Sequence, residues 1–465
     1  MDFRFDLVIR HGTVVTSDGT RSCDVGVTDG RIAELGVHLA AGQQEIDAAG
    51  HLVLPGGVDA HCHIAQISST GLLTADDFFS GGVSAACGGT TTMVPFAAQH
   101  RGNSLATVVA DYRAKALNAF IDYAFHLIVS DPTERVMLEE LPALVRQGHS
   151  SLKVFTTYEA LRLTDRQILE VLTVAKRVGA LTMFHCENHD AIAWITQRFL
   201  DEGKTSPRWH PYARPEGAER EATARVIMLA ETVGVPILIV HVSGAQALDE
   251  IRRARQRGAQ VYAETCPQYL LFVAEDLDLP GFEGAKLMFS PPARNREGQE
   301  ALWSGLADGS IDLFSSDHAP YRYDDAQGKM AHGENAPFNK VPNGVPSIGM
   351  RLPILFSEGV SKGRIDLQRF VQLTATEPAR IYRLQHRKGS IAVGLDADIA
   401  IWDPAREVVV SQSMIRDRMD YSPYEGMRIV GWPVTTMSRG EVIVQNGEVR
   451  GREGRGQFIE RLPPP

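Results

Sequence analysis

The chain has 465 residues, with 47 Lys+Arg against 57 Asp+Glu for a formal charge of −10, and 44% hydrophobic and 22% charged residues. That composition excludes a disordered or collagen-like chain, and the acidic balance argues against nucleic acid as a partner, which calls for a basic face. Length alone suggests about two to three domains, although α/β barrels exceed that rule in one piece and a chain this long buries a large core without staples.

Residues 1–52 alternate short apolar runs with turn signals, and the Asp-Gly pairs at 18–19 and 29–30 are hairpin punctuation. The start, MDFRFDLVIRHG, has no basic-then-apolar leader pattern. No apolar run approaches the roughly 18 residues of a membrane span, so a cytoplasmic protein with no membrane partner is expected. The five cysteines, Cys23, Cys62, Cys87, Cys186 and Cys266, lack C-x-x-C spacing and read as reduced thiols.

From about 53 to 385 short apolar runs alternate with longer amphipathic stretches such as 165-DRQILEVLTVAKRVG. The runs are HLVLPGGVDAH, TTTMVPF, DYAFHLIVS, SSLKVF, LTMFH, VPILIVHVS, AQVYAET and IDLFSSDHA. Eight strand signals separated by helix signals favour a closed (β/α)8 barrel over a doubly wound sheet, and no G-x-G-x-x-G follows a strand. GGTTT at 88–92 lacks the lysine of a phosphate loop and reads as a helix-to-strand turn. Beyond 386 the β texture of the start returns in DADIAIWDP, REVVVS and EVIVQNGEVRG, and the tail from Gly451 to the closing LPPP reads as an extended or disordered arm.

The chemistry concentrates at the ends of the apolar runs. In 58-VDAHCHIAQ, His61 and His63 are two apart and project to one face of a strand, with Cys62 pointing away. Taken alone, the pair also suits polar core or surface histidines. However, Lys153 falls late in SSLKVF, His185 ends LTMFH, His241 lies near the end of VPILIVHVS, and Asp317 ends IDLFSSD. In an α/β barrel, function gathers at the C-terminal ends of strands, and imidazoles with a carboxylate suit zinc, manganese, iron or cobalt. Lys153 is the odd member. It reads as a buried or snorkelling lysine, as a catalytic amine, or as a carbamate made with carbon dioxide that bridges two metals. His318, beside Asp317, reads as a supporting residue, and neither Cys186 nor Cys266 has the setting of a nucleophile.

These residues stand within motifs that resemble the hydantoinase/dihydropyrimidinase group of the amidohydrolase superfamily. They include 55-PGGVDAHCH, 88-GGTTTMVPF, 151-SLKVF, 185-HCENHD, 240-VHVSG, 264-ETCPQYL, 289-FSPPAR, 315-SSDHAP, 339-NKVPNG and 420-DYSPYEGM. The resemblance implies a barrel over 53–385 and a β-sandwich built from 1–52 plus 386–450, with 451–465 as a C-terminal arm. It implies two divalent metals, zinc or else manganese, with His61 and His63 on one, His185 and His241 on the other, and carbamylated Lys153 between them. Asp317 would be a ligand of the first metal and the proton carrier. Tyr158 would face the substrate carbonyl, while Ser290 and Asn343 hold the ring amide through their main chain. Those roles imply hydrolysis of hydantoins or dihydropyrimidines to N-carbamoyl amino acids by a hydroxide shared between the metals, in a homodimer or homotetramer.

Departures temper the substrate. Ile64-Ala65-Gln66 follows the histidine pair where hydantoinase-like relatives carry Leu-Asp-Met, and dihydroorotase-like relatives place an arginine there. Arg162 falls in 159-EALRL, a stretch that hydantoinases tend to make apolar, which predicts a more polar or differently shaped lid. An allantoinase-like activity is the alternative within this chemistry, and a non-catalytic scaffold is the alternative outside it.

Overall fold

The computed structural model describes residues 3–68 and 70–463; the two last prolines of the tail lie outside the described residues. Eight parallel staves form the central barrel: Gly57–Cys62, Thr90–Ala98, the pair Asp122–Tyr123 and His126–Ile128, Ser151–Phe155, Leu181–His185, Ile237–Ile239, Val261–Thr265 and Leu313–Phe314. A parallel bridge between Cys62 and His318 brings the last stave to the first. Thr90–Ala98 is buried at all nine positions, the pattern of a strand covered by side chains on one face and helices on the other.

The outer helices follow local signals. Asp165–Val178 starts at Thr164, whose side chain accepts from the Gln167 amide in a capping box. It stops at Gly179, whose φ of 69° no bulky residue adopts comfortably. Its Ile168, Val171, Leu172 and Ala175 are buried against the barrel at helical spacing. The glycines at 88–89 join helix Ser80–Cys87 to strand Thr90–Ala98.

The run HLVLPGGVDAH, one strand by its apolar pattern, is two. Leu52–Pro55 pairs with Ile399–Val409 outside the barrel, and Gly57–Cys62 opens the barrel. The chain turns at Gly56, where a Cβ would run into Thr91. Leu52–Pro55 belongs to a seven-stranded sheet that mixes the two termini, from Glu448–Val449 at one edge to Gly19–Ser22 at the other. A four-stranded sheet built from residues 5–47 faces it, and Leu7, Val25, Ile32, Val53, Ile399 and Met437 fill the space between. Asp29 and Gly30, at φ 52° and 72°, form the expected two-residue turn; at the other Asp-Gly pair the turn residues are Ser17 and Asp18 instead.

Sandwich and barrel are joined by a buried ion cluster. Lys388 Nζ lies 2.7 Å from Asp122, 2.9 Å from Asp396 and 2.7 Å from Asp398. The segment after Gly451 runs under the barrel, where the Tyr123 amide donates to Gln457 O at 2.9 Å, the Ile459 amide donates to Tyr123 O at 2.7 Å and Arg461 donates to Phe125 O at 2.8 Å.

Candidate metal centre and active site

The C-terminal ends of the staves open into a cavity of about 480 Å³. His61, His63, Lys153, Tyr158, His185, His241, Ser290, Asp317 and Asn343 all line it. Residues 316–318 are laced onto the first stave: the Ser316 hydroxyl donates to His61 O at 3.1 Å, and the His63 amide donates to His318 O at 2.7 Å. Asp317 thereby sits between the two histidines, its Oδ1 3.1 Å from His61 Nε2 and 3.2 Å from His63 Nε2. Tyr158, His241 and Asp317 have φ of 65°, 39° and 47°. Each such residue costs on the order of 1–3 kcal/mol, which the surrounding structure must offset, and such positions gather at functional sites.

The far nitrogen of three histidines is already committed. His61 Nδ1 lies 2.6 Å from Glu264 Oε1, His63 Nδ1 2.8 Å from Gln66 Oε1, and His185 Nε2 2.7 Å from Glu187 Oε2. An acceptor on one ring nitrogen fixes the tautomer and leaves the other as a lone pair, which is how ligating histidines are held. By this logic His61 and His63 offer Nε2 and His185 offers Nδ1. Burial holds His63, His185 and His241 below the usual histidine range, so each stays a neutral imidazole, the form that binds a cation. His241 Nδ1 is buried without a hydrogen-bond partner.

Lys153 is buried beside the rings of Phe96 and Phe155, 5.2 and 5.3 Å away. Loss of solvent pulls its ammonium down to about 8 despite Asp317 and Glu264 nearby. Ser290 Oγ and Asn343 Oδ1 are buried without partners at the cavity wall. Their loops are stitched together by Lys329, whose ammonium donates to Met288 O, Pro342 O and Gly344 O at 3.0, 2.8 and 2.8 Å.

Glu264, Glu187 and Arg214, to which the sequence assigns no role, prove central, as does Gln66, which it marks only as a departure after the histidine pair. Glu264 sits in AETCPQYL at the end of a stave, so the strand-end criterion that picked out Asp317 also reaches it. Arg214 carried no signal, because it lies between helices. Arg162, expected to make the lid more polar or differently shaped, pairs with Glu159 at 3.0 Å and is not part of the cavity lining; the loop after His63 contributes the polar residues Gln66, Ser68 and Thr70 to that lining. Both ring nitrogens of His318 are occupied, by Asp76 at 3.0 Å and the Ser347 amide at 3.1 Å. Burial pushes the Cys186 thiol up to about 12 and those of Cys62 and Cys266 well above the usual range, so none offers a thiolate.

An amidohydrolase family profile matches residues 52–443. The chain belongs to the hydantoinase group of the amidohydrolase family. It is 44% identical over 458 residues to a D-hydantoinase of Ralstonia pickettii, covering 98% of this chain and 99% of that one. Among solved structures it superposes on a D-hydantoinase with a TM-score of 0.96 and 44% identity, covering 99% of both chains. A dihydropyrimidinase from Brevibacillus agri NCHU1002 gives a TM-score of 0.95 at 42% identity over 98% of each chain.

Metal dependence comes with this family, and the donor atoms fit a divalent cation. His61, His63 and Asp317 each offer an atom within 4.8 Å of the others, and the second ring nitrogen of each histidine is directed to a carboxylate or amide oxygen. The other compact acidic group among the described residues, Asp122, Asp396 and Asp398, already surrounds the Lys388 ammonium and is an ion-pair cluster. No helix among the described residues is long and apolar enough to cross a membrane.

Proposed function

We propose that this chain is a metal-dependent hydrolase that opens the ring amide of hydantoins or dihydropyrimidines to N-carbamoyl amino acids, as the names of its relatives suggest. The observation that carries this reading is the convergence of His61 Nε2, His63 Nε2 and Asp317 in one cavity with Lys153, His185 and His241. In this assignment His61, His63 and Asp317 hold one divalent ion, zinc or else manganese, and His185 and His241 hold the other. Lys153, its ammonium pulled down to about 8 by burial, would shed a proton and add to carbon dioxide, a C–N bond forming as one C=O π pair moves onto oxygen and the nitrogen gives up a second proton, and the resulting carbamate would offer oxygen ligands to the two ions.

Two such ions, when bound, supply a nucleophile at neutral pH and polarise the amide carbonyl. The remaining steps belong to the side chains. Asp317 takes the proton of the attacking water and returns it to the ring nitrogen as the C–N bond breaks. The Tyr158 hydroxyl donates to the carbonyl oxygen as negative charge grows there, an effect worth about 2.7–4 kcal/mol for one well-placed donor. Ser290 and Asn343 fix the ring amide so that its carbonyl carbon meets the water. A cavity of about 480 Å³ suits a small cyclic ureide and its substituent.

All six metal-holding positions are present, which opposes the scaffold alternative. The test is metal analysis of protein reconstituted in bicarbonate, with hydantoin, 5-phenylhydantoin, dihydrouracil, allantoin and dihydroorotate as substrates. Hydrolysis of hydantoin or dihydrouracil with two metals per chain is the expected result. Protein that takes up no metal and hydrolyses none of the five overturns the reading, and turnover of allantoin alone selects the allantoinase-like alternative. A cytoplasmic homodimer or homotetramer completes the proposal; exposed apolar side chains such as Trp194 and Met228, 61% and 50% accessible, support association, and light scattering reads it directly.

A further inference from the structure

Arg214 lies in the joint between the short helix His210–Ala213 and the helix Glu216–Val233, with Pro215 keeping the two from merging. Three separate parts of the site meet on this one residue. Its Nη1 donates to Glu187 Oε2 at 2.6 Å, and the same oxygen accepts from His185 Nε2 at 2.7 Å. Its guanidinium carbon stands 5.3 Å from the centre of the Tyr158 ring. Its main-chain oxygen accepts from Arg294, which follows Ser290 by four residues and is itself held by Glu219 at 2.9 Å. Arg214 also lines the cavity, with only 11% of its side chain exposed.

Both ends of this relay meet at the guanidinium. Tyr158 sits on a left-handed backbone just past its stave, its ring resting on Phe155 and His185 at 6.0 and 5.3 Å between centres with Arg214 beside it. Glu187 is fully buried, and its second oxygen has no hydrogen-bond partner. A guanidinium suits the position between them, because its planar fork presents donors along two edges and a face that stacks on an aromatic ring. A lysine ammonium is a point donor that can neutralise Glu187 but cannot also brace the phenol.

We propose that Arg214 is a positioning residue that holds the Tyr158 hydroxyl in register with His185, so that the donor to the carbonyl oxygen and the adjacent metal-holding imidazole are aligned together. The inference rests on the assignment of Tyr158 as that donor. A residue that only neutralised Glu187 would affect metal content and stability; a residue that acts through Tyr158 affects turnover in a way that disappears when the hydroxyl is absent.

The experiment is a cycle of Arg214→Lys, Tyr158→Phe and the double variant in metal-loaded enzyme. Metal content, melting temperature, kcat and KM for dihydrouracil and hydantoin are read for each. Arg214→Lys is expected to keep its metal and its fold and to lose about tenfold to a hundredfold in kcat with little change in KM, the scale of a misplaced catalytic group. Tyr158→Phe is expected to lose at least as much, and the double variant to be no slower than Tyr158→Phe alone, since the two residues act as a unit. Losses that multiply in the double variant overturn the inference, as does an Arg214→Lys enzyme with unchanged kcat. Full activity in Tyr158→Phe overturns the assignment of Tyr158 first and the inference with it, so the two failures are distinguishable. Arg214→Met, which also removes the partner of Glu187, is expected to lose metal as well as turnover.

Discussion

Nδ1 of His61 lies 2.6 Å from Oε1 of Glu264, and the same oxygen is 3.3 Å from the main-chain amide of His241. One buried carboxylate therefore orients a histidine assigned to the first metal and the backbone of a histidine assigned to the second. Its other oxygen accepts from Ser315 at 2.9 Å, on the segment that carries Asp317. Although burial alone would lower it, the affinity of His61 for a proton is raised by Glu264 and Asp317, the electrostatic setting that also favours a metal cation.

Glu264→Gln is expected to weaken metal binding about tenfold to a hundredfold, the usual effect of removing a carboxylate behind a ligating histidine. Metal titration of stripped protein checks this. Unchanged affinity for both ions would remove Glu264 from the account of the site.

Lys388 is the only cation touching all of Asp122, Asp396 and Asp398 among the described residues, with Arg439 and Arg387 each reaching one of them. Lys388→Met leaves buried carboxylates short of a partner, and breaking such a cluster costs about 3–5 kcal/mol. The expected result is a lower melting temperature that millimolar calcium partly restores, since three clustered carboxylates freed of their ammonium offer oxygen ligands to a hard cation. Wild-type protein should gain nothing from the same calcium. A variant that melts like the wild type would show the cluster to be energetically neutral.

The barrel was legible because parallel strands buried on both faces leave continuous apolar runs, and the polar residue at the end of each run stands out. His61, His185 and Asp317 were found that way. The split at Gly56 was hidden, since strands of the sandwich and of the barrel abut there in one apolar run and only the close approach of Thr91 separates them. Arg214 was hidden for a different reason. It reaches the cavity from a joint between two helices, where no periodicity marks which side chain turns inward; after His63 the sequence marks Gln66 as a departure but not that it turns onto His63, and Arg162 pairs with Glu159.

Gln66 carries the substrate prediction. Its Oε1 is engaged by His63, which leaves its amide N–H groups toward a cavity that Ser68 and Thr70 also line. Gln66→Met is expected to shift the ratio of kcat/KM for 5-phenylhydantoin to that for a hydantoin with a carboxamide side chain by roughly twofold to tenfold in favour of phenyl, the scale of one hydrogen bond at about 0.5–1.5 kcal/mol. Using a ratio cancels any effect on the metal. Arg162→Leu should leave that ratio unchanged, and a shift there with none at position 66 would reverse the assignment.

His149 makes stability depend on pH far from the active site. It is fully buried beneath the barrel between the rings of Phe125 and Phe458, and its Nε2 accepts from Arg113 at 3.2 Å. Burial, reinforced by Arg461 and Arg113, lowers it to about 3. An unfolded histidine titrates near 6.5, so between those values the unfolded chain binds a proton that the folded chain refuses. Stability is therefore present above about pH 6.5 and is lost as the pH falls, at about 1.4 kcal/mol per pH unit for one such group. His149→Phe fills the slot between the two rings and cannot take up the proton. Its melting temperature is expected to fall less than that of the wild type between pH 7 and pH 5, even if it starts lower for want of the Arg113 contact. Parallel melting curves across that range would mean that His149 is protonated in the folded state or that acid opens this end of the barrel before the histidine titrates.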